Sequence, residues 1–221
     1  LSLYLKLARV ENNGRLSFLL ESVVGGERFG RYSFIGLPAH TLLRATGFGA
    51  AATTAVVTDG VVVATNHGNP LDFVAAYQAR YKVATQPDMP RFCGGLAGYF
   101  GYDTVRLMEK LPDSKPDELG VPDGIFIRPT VTASFDTIAD TVTVVTPVRP
   151  ETGIDADAAY DLACARLNDV VQQFQRNLFL DRRSKSAPDT LPDPKVSVDE
   201  AGFHKMVDQA KEYIRAGDIF Q

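Results

Sequence analysis

The chain has 221 residues, 45% apolar and 23% charged, with a net charge of −4 at neutral pH. This is enough apolar content for a sizeable core, and the acidic balance argues against a nucleic-acid partner, which would favour a basic face. Two cysteines cannot build a disulfide framework, and no apolar run reaches the roughly 18 residues of a bilayer span.

Predicted elements begin with β-structure. "LSFLLES", from Leu16 to Ser22, reads as a strand, a Gly-rich charged loop follows, and "RYSFIG", from Arg31 to Gly36, opens the next strand. "HTLLRAT" is a third. From Thr54 to Thr65, β-branched residues flank Asp59-Gly60, the dipeptide of a type I′ hairpin turn. Asn69-Pro70 then starts a helix, with Asn69 as cap and Pro70 at the first helical position. Leu71, Val74, Tyr77 and Tyr81 recur at helical spacing and are expected to face the core.

"FCGGLAGYFGYD", Phe92 to Asp103, returns to extended structure, with glycines that allow close strand packing. "LPDSKPDELGVPDG" is loop, and Asp113, Asp117 and Glu118 within it read as solubilising charges. "IFIRPTVTASFD" and "DTVTVVTPV" read as two strands joined by a turn near Ile138-Ala139-Asp140, with Pro129 marking an edge position or a bulge. From about Asp155 to Leu178, the residues Leu162, Leu167, Val170, Val171 and Phe174 form an apolar helical stripe. Residues 181–196 are polar and Pro-rich, the composition of a flexible linker. Beyond it Ser197 and Glu200 suggest a capping box. Phe203, Met206, Val207, Ala210 and Ile214 line a second helix, which Gly217 stops. "DIFQ" at the end looks like a strand starting, so a truncated chain is expected.

Catalytic patterns are scarce. His40, His67 and His204 have no metal-ligand spacing, and neither Cys93 nor Cys164 has a CxxC partner. No GxGxxG, GxSxG, P-loop or HExxH occurs. The residues alone specify an α+β sheet protein and no reaction. The loop after Phe18 is the exception. It places Glu21, Ser22 and Arg31 together, which reads either as a polar strand end or as a pocket for a small charged molecule. With no basic leader in "LSLYLKLARV", the expected location is cytoplasmic, with no membrane partner.

Three blocks, "FLLESVVGGERFGRYSFIG", "FCGGLAGYFGYDTVRLMEKLP" and "FHKMVDQAKEYIRAGDIFQ", resemble component I of anthranilate synthase, one of the chorismate-utilising enzymes. The resemblance implies an α+β fold with antiparallel β-sheets packed as a sandwich and flanking helices, here truncated. The expected division is an N-terminal domain over 1–180, a linker over 181–196 and the beginning of the chorismate-binding domain over 197–221. It also implies that the parent protein, a lyase of tryptophan biosynthesis, converts chorismate and ammonia to anthranilate and pyruvate. A glutamine amidotransferase partner, component II, would supply the ammonia, and magnesium would serve as cofactor. The family's metal ligands and catalytic residues lie past Gln221, so no catalytic or metal residue is assigned here and this chain alone is expected to be inactive.

In the same family the "LLES" motif lines a pocket for L-tryptophan, the feedback inhibitor. By position, Leu20, Glu21 and Ser22 carry over, with Arg31 placed to meet a carboxylate. Tyr32 and Phe34 read as core aromatics. Aminodeoxychorismate synthase component I, of the folate pathway, is the related alternative. A stand-alone amino-acid-binding regulatory module is the alternative of another class.

Overall fold

The computed structural model describes residues 1–8, 16–21, 30–84, 86–112, 116–149, 153–178 and 193–221. It divides into two compact units, Leu1–Phe179 and Leu180–Gln221. The first is α+β, with two antiparallel sheets and flanking helices.

The first sheet has strand order β1-β2-β8-β9, made by Phe18–Leu20, Tyr32–Gly36, Thr132–Asp136 and Thr141–Val145. Its register pairs Leu20 with Phe34 and Tyr32 with Asp136. Because side chains alternate along a strand, this register sorts the sheet into two faces. Leu19, Ile35, Ala133 and Val144 share one face and pack with Leu7 of helix α1 (Ser2–Leu7) and with Val170 and Phe174 of helix α3 (Ala156–Gln175). Full burial of a side chain such as Ile35 is worth about 1.5–3 kcal/mol, so this cluster anchors the sheet. The opposite face carries Phe18, Leu20, Tyr32, Phe34 and Asp136.

The second sheet has order β5-β4-β3-β7-β6. Its strands are β3 (Thr41–Thr46), β4 (Thr53–Thr58), β5 (Val61–His67), β6 (Ala97–Phe100) and β7 (Gly124–Arg128). Asp59 and Gly60 both take positive φ, 49° and 82°, as the expected hairpin turn between β4 and β5 requires. Helix α2 (Pro70–Ala79) lies against β4, and the Asn69 side chain accepts a hydrogen bond from Leu71 N.

Several sequence expectations change. The run Ile125–Asp136 is two strands in two different sheets, because Pro129 has no N–H for a ladder and sits fully buried where the chain leaves β7 for β8. Tyr81 follows the end of α2 and is 42% exposed. In α3 the buried positions are Ala159, Ala163, Val170 and Gln173, whereas Leu162 and Val171 point outward. They stand one position off the stripe that meets the sheet.

In the second unit, helix α4 (Glu200–Ala216) is capped by Asp199, which accepts from Gly202 N at 2.8 Å, and not by Ser197. Asp is as good a cap as Ser, and here it stands directly before the first helical residue. Gly217 ends the helix at φ 82°, in the left-handed region. Asp218–Gln221 carries no strand. Residues 181–192, most of the expected linker over 181–196, lie outside the described residues.

Candidate functional site

Glu21 and Arg31, two of the polar residues that the sequence singled out, lie at the same end of the paired strands β1 and β2. Leu20 is the last residue of β1 and is 54% exposed. Glu21 follows it, half-exposed, with its Oε1 3.8 Å from the Leu1 amine. Ser22 lies outside the described residues. Arg31 directly precedes β2, and Gly30 before it has φ 89°, a conformation that glycine adopts without strain.

Arg31 is not an isolated cation. Its Nε donates to Asp136 Oδ1 at 2.9 Å, and its Nη2 donates to Asp136 Oδ2 at 2.6 Å. Asp136 also accepts from the backbone N–H groups of Ile138 and Ala139, both at 3.1 Å. The Arg31 hydrogen bonds hold the Asp136 carboxyl well below the usual carboxylate range, and the two backbone donors reinforce them against the opposing effect of burial. The Arg31 guanidinium also lies 4.9 Å from the centre of the Tyr32 ring. Thr137 ties the corner by donating from its backbone N–H to Arg31 O at 2.9 Å.

Beside these charges runs an aromatic shelf. Phe18 and Phe34 both meet the edge or face of Phe92, with ring centres 6.0 and 5.5 Å apart, and Tyr32 stacks near Phe34 at 6.2 Å. Gly36 is required beneath it, since a Cβ there would lie 2.1 Å from the Phe18 ring. Tyr32 is 38% exposed, so it rims the shelf and is not the core aromatic the sequence suggested. An apolar ring-lined surface beside a guanidinium suits a small molecule that carries a hydrophobic group and a carboxylate.

Sequence reasoning missed Asp136 and Phe92. Both are far from Arg31 along the chain, Asp136 brought near by strand register and Phe92 by a long excursion of the chain, and residue spacing signals neither. Among the described residues no group of three His, Cys, Asp or Glu side chains could hold a metal ion, so the residues present do not fit a magnesium site. His40 Nδ1 pairs with Asp59 Oδ1 at 2.7 Å on an exposed hairpin end, away from the shelf. Asp117 accepts from Leu119 N and Gly120 N, which makes it a turn residue. Among the described residues no helix is long and apolar enough to cross a membrane.

The family model described as chorismate binding enzyme matches residues 33–221. Anthranilate synthase component 1 of Pseudomonas putida is 39% identical over 228 residues, covering 100% of this chain and 43% of the relative. The protein of the same name from Cereibacter sphaeroides is 36% identical over 220 residues, again covering 100% of this chain and 43% of the relative. Among solved structures, anthranilate synthase component I from Streptococcus pneumoniae matches with a TM-score of 0.55 at 21% identity, over 96% of this chain and 44% of that one. This last likeness bears on fold alone. The chain spans about 43% of the length of the curated relatives it matches.

Proposed function

This chain belongs to the chorismate binding enzymes, and on that footing we propose that it is the N-terminal part of an anthranilate synthase component I. The parent protein would convert chorismate and ammonia to anthranilate and pyruvate, the first committed chemistry of tryptophan formation, in the cytoplasm. The observation that carries this reading is the alignment of the whole chain with relatives of that name at 36–39% identity. A glutamine amidotransferase subunit would deliver the ammonia. Magnesium would neutralise the substrate carboxylate in that chemistry. The described residues offer no cluster to hold it, so no step is assigned to the metal here.

The role of this part would be regulatory. L-Tryptophan would bind at the β1–β2 loop end, with Leu20, Glu21, Ser22 and Arg31 around it. Support comes from the aromatic shelf, an apolar ring-lined surface for an indole, and from Glu21, half-exposed at the loop end of β1. Arg31, oriented by Asp136, stands on the same face for the carboxylate. Such a ligand would act by favouring one arrangement of the complete enzyme over another.

The test compares the full-length parent with residues 1–221. Anthranilate, followed by its fluorescence, is expected from the parent with chorismate, ammonium and magnesium, and none from the shorter chain. Turnover by the 221-residue chain itself would overturn the assignment of catalysis to the rest of the parent.

A further inference from the structure

At the end of β7, away from the aromatic shelf, arginines gather around a pair of phenols. Arg128 Nη1 donates to Tyr77 Oη at 3.0 Å and to Tyr81 Oη at 2.5 Å, and its Nη2 reaches Thr41 Oγ1 at 3.4 Å. Arg149, in the segment after β9, places its Cζ 5.5 Å from the centre of the Tyr81 ring, the same distance as Arg128. Arg80 Cζ lies 5.4 Å from the Tyr77 ring.

Among the described residues no carboxylate answers these charges. By contrast, Arg31 and Arg106 in the same unit pair with Asp136 and Asp103. Among the described residues neither Arg128 nor Arg149 makes an ion pair. Among the described residues the groups acting on Arg149 are Arg128, Arg166 and the two tyrosines, with no acid among them, and burial followed by the Arg128 charge pushes its pKa down. Arg166 is occupied by neutral acceptors, Thr146 Oγ1 and Pro147 O. Two half-buried guanidiniums that share a ring and lack a counter-charge repel each other and lose hydration, which costs stability unless an anion joins them.

We propose that Arg128 and Arg149 form a binding site for a phosphate group, either inorganic or carried by a small metabolite. Two guanidiniums against one tyrosine ring bring together two positive charges, which an oxyanion bearing close to two negative charges matches. Tyr81, with its ring partly open to solvent, adds a hydroxyl at the mouth. Cation–π contacts with Tyr81 hold both forks in place before the ligand arrives. This site is independent of the chorismate reading and shares no residue with the tryptophan shelf.

The test titrates inorganic phosphate into the full-length parent protein by calorimetry and thermal melting, with chloride holding ionic strength constant. Saturable binding and a phosphate-dependent rise in Tm are expected, with affinity reduced about tenfold or more in Arg149→Gln. In phosphate-free buffer that variant is expected to melt no lower than wild type, because it removes a repelling charge. Arg149→Lys, which keeps the charge and loses the fork, should bind with intermediate affinity. Equal phosphate affinity in wild type and Arg149→Gln, or no saturable binding at all, would overturn the site. So would an Arg149→Gln that melts several degrees lower without phosphate, which would make Arg149 a structural residue. Tighter binding of succinate than of phosphate would overturn the phosphoryl assignment.

Discussion

Arg31 and Asp136, 105 residues apart in the chain, are joined by three hydrogen bonds that lock the start of β2 to the end of β8. The pair does two things at once. It fixes the corner of the first sheet, and it sets the direction of a guanidinium beside the aromatic shelf. Its electrostatics make the first prediction. The folded-state pKa of Asp136 is depressed, so the unfolded chain binds the extra proton as pH falls below about 4. The stabilisation is therefore fully present above that pH and is lost as pH falls further. Urea unfolding midpoints measured from pH 7 to pH 3 should drop at the acid end. Asp136→Asn should be less stable at pH 7 and show a flatter acid limb. An acid limb of equal steepness in the variant would assign the transition to other carboxylates.

The same pair bears on inhibition. In the full-length parent, Glu21→Gln and Ser22→Ala are each expected to raise the tryptophan inhibition constant about tenfold, the order of one lost charge-assisted hydrogen bond. Turnover without tryptophan should stay near wild type. Asp136→Asn should also weaken inhibition, because Arg31 then loses the partner that aims it. Inhibition curves for these variants that overlay wild type would remove the shelf from the effector site.

Gly98 is where β6 approaches β7 most closely. A Cβ at this position would sit 1.8 Å from Ile125 O and 2.7 Å from Phe126 Cα, both backbone atoms that cannot step aside. Gly98→Ala should therefore cost at least about 2 kcal/mol, as overpacking of a tight site does. Denaturant unfolding checks this, with Gly120→Ala as a control for backbone strain without a clash.

Asn69 caps α2 through its side-chain bond to Leu71 N at 2.9 Å. Asn69→Ala should lower stability by about 1 kcal/mol, and Asn69→Asp should recover most of it. Equal midpoints for wild type and Asn69→Ala would show that the packing of Tyr77 against Arg128 holds the helix without its cap.

Local chemistry was readable in the sequence, and long-range placement was not. Asp59-Gly60 and Asn69-Pro70 carry their geometry in adjacent residues, and the structure contains both as read. The split at Pro129 was half visible. A proline announces an interruption, but the apolar alternation on either side looks the same whether the two halves share a sheet or part into two. The helical stripes failed at their margins for a related reason. Tyr81 and Leu162 fit a 3.6-residue period, yet the small residues Ala159 and Ala163 form the closer contact, and periodicity weighs Leu above Ala. At the candidate site, Glu21 and Arg31 were singled out in the sequence because they bracket one loop. Asp136 and Phe92 were not, because only strand register and a long excursion of the chain bring them there.

The identity of the product separates the tryptophan branch from the folate branch. The full-length parent is incubated with chorismate, ammonium and magnesium, and the aromatic product is identified by chromatography and mass spectrometry. Anthranilate is expected, together with an equal amount of pyruvate. Accumulation of an aminated chorismate that keeps its enolpyruvyl group, with no anthranilate, would contradict this and place the protein in the folate branch.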